Sequence, residues 1–188
     1  AIACLGVNAF GQAPPAAPSG PDTPGTGPYP AMKEEDPSLA NHTVYRPKDI
    51  VAMGRTKLGV VAWGNGGCSD DAASTRFHLL ELASHGYLVI ASGRILSGPG
   101  APPRPAPAAA PNAGPPGPPP AGQPRQLPPP KTTAAQLTQA IDWALKENGR
   151  AGSPYQGRID PKAIAVSGFS CGGVQAIATA KDPRVATA

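Results

Sequence analysis

The chain has 188 residues, a formal charge of +4, three cysteines and 27 prolines. Eight prolines fall in residues 14–37 and 15 in residues 99–130. Proline fixes φ and lacks an N–H, so these stretches are excluded from strand and helix interiors, which leaves about 130 residues for one small domain. The basic residues are scattered without interleaved aromatics, which argues against a nucleic-acid partner, and no apolar run reaches the ~18 residues of a spanning helix.

Residues 1–13, ending in Gly11-Gln12-Ala13 before Pro14, read as the remnant of a secretory signal peptide, so a secreted or periplasmic location is expected. The apolar residues after Cys4 argue against lipidation there. Residues 14–40 are rich in Pro, Gly, Ser and Thr, with a charged patch at Lys33, Glu34, Glu35 and Asp36, and are expected to form an exposed, disordered lead-in. The folded domain is expected from residue 41. Thr43 to Pro47 reads as a short strand. Leu58 to Trp63 is a continuous apolar run, the mark of a central strand covered on both faces, and it ends in the permissive loop Gly64-Asn65-Gly66-Gly67.

Residues 70–85 have helical periodicity, with Ala73, Phe77, Leu80 and Ser84 on the inward face and Gly86 as the stop. Tyr87 to Ala91 is the next buried strand. Residues 97–130 interrupt the pattern as a proline-rich insertion on the side where strands end, expected to be solvated, although Arg125-Gln126-Leu127-Pro128-Pro129 has the pattern of a polyproline ligand. Thr133 and Gln136 form a capping box that opens a helix from Ala134 to about Asn148. Ala163 to Ser167 is a third buried strand, followed by a helix from Cys171 to about Ala180. This alternation predicts an α/β fold in three layers, α/β/α, on a mostly parallel sheet.

Between that last strand and helix stands Gly168-Phe169-Ser170-Cys171-Gly172, a G-x-S-x-G. A serine on a sharp strand-to-helix turn needs small neighbours and presents its hydroxyl outward, so Ser170 is the candidate nucleophile. The N–H of Cys171 and an N–H of Asn65 or Gly66 are the candidate oxyanion donors, the alternative for the second loop being an ordinary glycine turn. Cys68 and Cys171 lie at the ends of the two segments that should meet, either as a disulfide in an oxidising compartment or as two small apolar thiols. No His or Cys stands at metal-ligand spacing, so no metal is expected.

Together, Trp63 to Cys68, Leu80 to Ala91, Ala140 to Ala144 and Gly168 to Gly173 resemble an exported bacterial α/β-hydrolase, in the branch of chlorophyllase-like, dienelactone-hydrolase-like and polyester-hydrolase esterases. The resemblance spans residues 43–188. It implies a cofactor-free Ser-His-Asp esterase acting on small-molecule or polymeric carboxylic esters, with Tyr87–Ala91 and Ala163–Ser167 flanking the strand Val60–Trp63. In that fold an Asp or Glu and then a His follow the serine. After Ser170 the only acid is Asp182, expected to end a helix before a strand near Arg184, and all three histidines, His42, His78 and His85, come earlier. Residues 41–188 are therefore expected to be a partial α/β-hydrolase domain, truncated after the nucleophile helix, with negligible turnover and a bare sheet edge at Ala163–Ser167 that lowers solubility. Two other readings are an acyltransferase on the same fold and a secreted, non-enzymatic protein that binds partners through its proline-rich segments.

Overall fold

The structure, a computed structural model, describes residues 20–103 and 129–188. The signal-peptide reading of residues 1–13, the first part of the lead-in and most of the 97–130 insertion lie outside the described residues. Five strands form one sheet: β1 (Ala31–Glu34), β2 (His42–Pro47), β3 (Leu58–Gly64), β4 (Tyr87–Ser92) and β5 (Ile159–Gly168), in the order β1-β2-β4-β3-β5. The central strand β3 pairs in parallel with β4 on one side and β5 on the other. β2 is antiparallel to both β4 and β1. The sheet is thus mixed rather than mostly parallel, because β2 runs against its neighbours.

Side chains alternate across a strand, and here both faces are covered. Tyr45, Val61, Trp63, Val89 and Ala91 point to one face, where α1 (Arg76–Ser84) packs Leu79, Leu80 and Ala83 against them. Val44, Val60, Ala62, Leu88, Ile90, Ile164 and Val166 point to the other. There they meet α2 (Ala134–Gly149), through Leu137, Ala140, Ile141 and Ala144, and α3 (Cys171–Thr179), through Ala176. The class is α/β in three layers. The capping box at Thr133 and Gln136 is present and starts α2 where the composition indicated.

Two elements differ from the expected bounds for identifiable reasons. α1 starts at Arg76, not near residue 70, because the backbone before it is already engaged: Arg94 N donates to Asp70 O at 2.8 Å and Ala72 N to Arg94 O at 2.9 Å. Its inward face then includes Arg76 rather than Phe77, whose ring lies 4.4 Å from the Arg76 guanidinium carbon. β5 extends back to Ile159 through a register shift against β3, where Pro161 lies in the irregular stretch and supplies no N–H. Its outer edge is partly occupied, not bare: Val166 N donates to Thr187 O at 2.9 Å and Ala186 N to Ile164 O at 2.8 Å.

The lead-in is the main correction. Residues 20–40 are ordered; of the charges that read as a solvated patch, Glu34 and Glu35 have partners on the domain, while Lys33 pairs with Asp22 and Asp36 with Ser38 inside the lead-in. Arg76 is fully buried and its Nε donates to Asp22 Oδ1 at 3.0 Å, while its Nη2 donates to Gly20 O at 3.0 Å. Asp22 also pairs with Lys33. Glu34 accepts from Arg46 Nε at 2.6 Å, and Glu35 accepts from the Ile95 N–H at 2.7 Å. Proline content described the composition of this stretch but not the ion pairs that dock it. Removing the carboxylate with Asp22→Ala leaves a buried guanidinium short of its counter-charge. We expect a loss of about 3 kcal/mol, at the low end for buried pairs because Asp22 is partly exposed, measured by urea unfolding at neutral pH.

Beyond α3, the Arg184 guanidinium and backbone N–H both bind Asp182, and these hydrogen bonds hold its carboxyl down at about 2. Arg184 also reaches Asp142 of α2 at 2.6 Å. A depressed carboxyl contributes stability that is complete above its unfolded value and fades as pH falls through the folded one. Asp182→Asn should therefore lower the melting temperature between pH 5 and 7, with the difference from the parent vanishing as pH approaches about 2.

Candidate active site

The C-terminal ends of β3 and β5 lie side by side, with Gly64 registered against Gly168 and Phe169 N donating to Gly64 O at 3.1 Å. α3 begins at once after Ser170, and its first turn lies directly on the end of β3. The approach is so close that a Cβ on Gly172 would collide with the Gly64 carbonyl, and one on Gly64 would stand 2.6 Å from Gly172 O. A Cβ on Gly168 would stand 2.5 Å from the Gly172 carbonyl carbon. The two glycines of the pentapeptide and Gly64 at the end of β3 are therefore one packing requirement.

Ser170 occupies the corner. Its backbone stands at φ 53 and ψ −118, a conformation a non-glycine residue holds at a cost of ~1–3 kcal/mol, and it is exposed. Among the described residues only Asn41 and Cys68 share a positive φ without being glycine. Ser170 O accepts from Gly173 N at 2.9 Å and from Val174 N at 3.3 Å. The N–H of Cys171, the first residue of α3, has no intrahelical acceptor and points out of the helix end.

The loop after β3 stands opposite. Residues Gly66–Cys68 form a single 3₁₀ turn in which Gly67 has φ 63. Gly66 lies beneath the Phe169 ring, so close that an added Cβ would meet Cδ1 at 2.7 Å. Asn65 is fully buried, and its Nδ2 donates to Ser69 O at 3.0 Å and Ser92 O at 2.5 Å. Its side-chain amide N–H groups are thus committed to anchoring the loop on β4, and only its backbone N–H is left as a donor for a bound oxyanion.

Cys68 and Cys171 are joined by a disulfide, with Cα atoms 5.3 Å apart across a sequence separation of 103. It ties the Gly66–Cys68 turn to the residue after the candidate nucleophile. Gln175, one turn further along α3, is buried and was not singled out by any sequence pattern. Its Nε2 donates to Cys68 Sγ at 2.9 Å and to Thr132 O at 2.7 Å. A lone glutamine on an otherwise small-residue helix was the only available signal.

The other titratable groups stand elsewhere. Both ring nitrogens of His42 lie 2.9 Å from backbone oxygens, of Ala40 and Gln136. His78 packs its ring 5.1 Å from that of Trp63, and His85 contacts Glu81 at the exposed end of α1. Asp182 follows the far end of α3, held by Arg184. None of the four is hydrogen-bonded to Ser170. An open groove of about 700 Å³, lined by Pro28, Tyr29, Arg46, Ile50 and Val51, lies where β2 ends, at the opposite end of the sheet from the serine. No helix among the described residues is long and apolar enough to cross a membrane, and none of their His, Cys, Asp and Glu side chains cluster as a metal site.

The glycine contacts make a paired prediction. Gly172→Ala forces a methyl against backbone that cannot yield cheaply, and should destabilise by about 3 kcal/mol. Gly173, whose added Cβ would meet its nearest neighbour at an ordinary 3.5 Å, should tolerate Ala and gain up to about 1 kcal/mol from helix propensity. Thermal unfolding of the two variants side by side reads the opposite signs.

No protein-family model matches the chain, and no curated protein matches it. Its function is therefore read from the geometry around Ser170.

Proposed function

We propose that Ser170 is the nucleophile of an exported serine ester hydrolase on an α/β-hydrolase-type domain, acting on small or polymeric carboxylic esters through an acyl-enzyme. The observation that carries this reading is the Ser170 backbone, at φ 53 and ψ −118 on an exposed turn packed by Gly64, Gly168 and Gly172. A residue with a side chain in a strained place, where glycine would fit without cost, speaks for a hydroxyl that is needed there. The disulfide supports an oxidising compartment and hence export.

In this reading Ser170 Oγ attacks the ester carbonyl carbon, its proton passes to a base, and the carbonyl oxygen takes up the negative charge. The N–H groups of Cys171 and of Asn65 or Gly66 face that charge, and one such donor is typically worth about 3 kcal/mol of barrier. No cofactor is required. His42, His78, His85 and Asp182 are committed to other partners, so the full reaction calls for an imidazole and a carboxylate other than these. By itself the 188-residue chain is expected to turn over esters negligibly.

The nucleophile can be tested without that base. The chain is treated with an alkyl fluorophosphonate and imidazole: Ser170 Oγ bonds to phosphorus, fluoride leaves, and imidazole takes the proton. We expect the adduct at Ser170 about tenfold ahead of any other serine, mapped by peptide fragmentation. Ser170→Gly should lack it while gaining about 1 kcal/mol in stability, since glycine accepts the same φ without strain. Modification spread evenly over exposed serines such as Ser167 would refute the assignment.

A further inference from the structure

We propose that the Cys68–Cys171 disulfide is a redox-operated clamp on this site: it holds the Gly66–Cys68 turn against the Ser170 turn, and its reduction frees that turn while the sheet stays folded. The proposal rests on the reading of these two turns as one oxyanion site.

The two segments are joined by the sheet only as far as Gly64 and Gly168, with the Phe169–Gly64 hydrogen bond as the last backbone tie between them. Past that point the cross-link takes over. Inside the turn the backbone hydrogen bonds stand at the long end of the normal range, 3.2 Å from Cys68 N to Asn65 O and 3.2 Å from Ser69 N to Gly66 O, with the Asn65 side chain adding a bond to Ser69 O at 3.0 Å. Gly67 adds no packing, since nothing lies within 4 Å of where its Cβ would be. Cys68 itself is held at φ 47, against the preference of a residue with a side chain. A turn with long backbone bonds, two glycines and a backbone in the left-handed region keeps its shape because something outside holds it. Here that is the bond to Cys171, backed by the Gln175 amide on Cys68 Sγ and by Lys131 N and Thr132 N on Cys68 O, at 2.9 and 3.0 Å.

The rest of the domain does not depend on this bond for its packing. Neither sulfur belongs to the apolar clusters on the two sheet faces, and Asn65 keeps its own anchor on Ser92 of β4.

The chemistry balances with a dithiol as reductant. One of its thiolates attacks Cys171 Sγ, the more accessible sulfur, and the Cys68–Cys171 bond breaks to a mixed disulfide. The second thiol then displaces Cys171, so the protein gains two electrons and two protons and the reductant leaves as a cyclic disulfide. With the clamp open, the N–H of Cys171 stays on α3 while those of Asn65 and Gly66 are no longer held opposite it.

Hydrogen exchange read by mass spectrometry, on the chain oxidised and in dithiothreitol, tests this. Over seconds to minutes the amides of residues 65–69 should exchange about tenfold faster after reduction, with those of residues 172–173, β4 and α2 unchanged, and oxidised glutathione should restore protection. Cys171→Ser should show the fast pattern with or without reductant. Unchanged exchange in residues 65–69 would overturn the proposal, and so would an equal rise across β4 and α2, which would make the bond a global staple. Exchange reports the turns whether or not Ser170 takes up phosphorus, so failure of the hydrolase reading and failure of the clamp are separate outcomes.

Discussion

The carbonyl of Gly64 meets the Cα of Gly172 with no room between them for a methyl group. That contact sets how far α3 can slide onto the end of the central strand, and most of the site follows from it. With the helix this close, the chain leaving β5 has only Phe169 and Ser170 in which to reverse, which places Ser170 in the left-handed region and turns it outward. The same contact brings the start of α3 to the loop after β3, near enough for Cys171 to bond Cys68 and for Gln175 to reach Thr132. Close packing, backbone strain and covalent cross-linking at this corner have one cause.

The two faces of the sheet are closed by different means. On the α2 and α3 side the layer is apolar, and its polar members are each hydrogen-bonded: Trp143 Nε1 donates to Ser38 at 2.9 Å, and the buried Glu147 is held by Arg150 and Ser153 nearby in sequence, hydrogen bonds that keep its carboxyl ionised below the usual range. On the α1 side the helix is short and carries a buried arginine at its first position, so its docking depends on charge supplied from residues 20–22. Tyr45 belongs to this side as well. Burial pushes its hydroxyl far above the ordinary tyrosine range, and the hydroxyl donates to Ala72 O at 2.8 Å. A neutral donor there anchors the turn that precedes α1.

What could be read from the sequence was whatever repeats at short range. Val60 to Trp63 and Leu88 to Ala91 are apolar at every position because both faces are buried, and Thr133 with Gln136 marks a helix start by a bond pattern local to four residues. The G-x-S-x-G was legible in part for a related reason, since Gly168 records a contact with Gly172 made within the motif, although Gly172 also records the distant contact with Gly64. What escaped depends on partners far along the chain. Ala31 to Glu34 looks like linker until β2 is beside it, and Arg76 looks like a solvated helix residue until Asp22 reaches it. Gln175 is indistinguishable from any surface glutamine without Cys68 and Thr132 in place. The direction of β2 was equally hidden, because alternation alone does not say which way a strand runs.

The Asp22–Arg76 pair also moves the boundary of the autonomous folding unit. Composition would place that boundary near residue 41, where the proline-rich stretch gives way to alternating apolar residues. The ion pair, the β1–β2 ladder and the bond from Tyr29 N to Ser84 O place it no later than residue 22 instead. A proteolytic cut or an expression boundary between these two points would remove an edge strand together with the counter-charge of a buried guanidinium. The polypeptide left behind would keep every residue of the serine corner and yet lose the fit of a helix on the far side of the sheet.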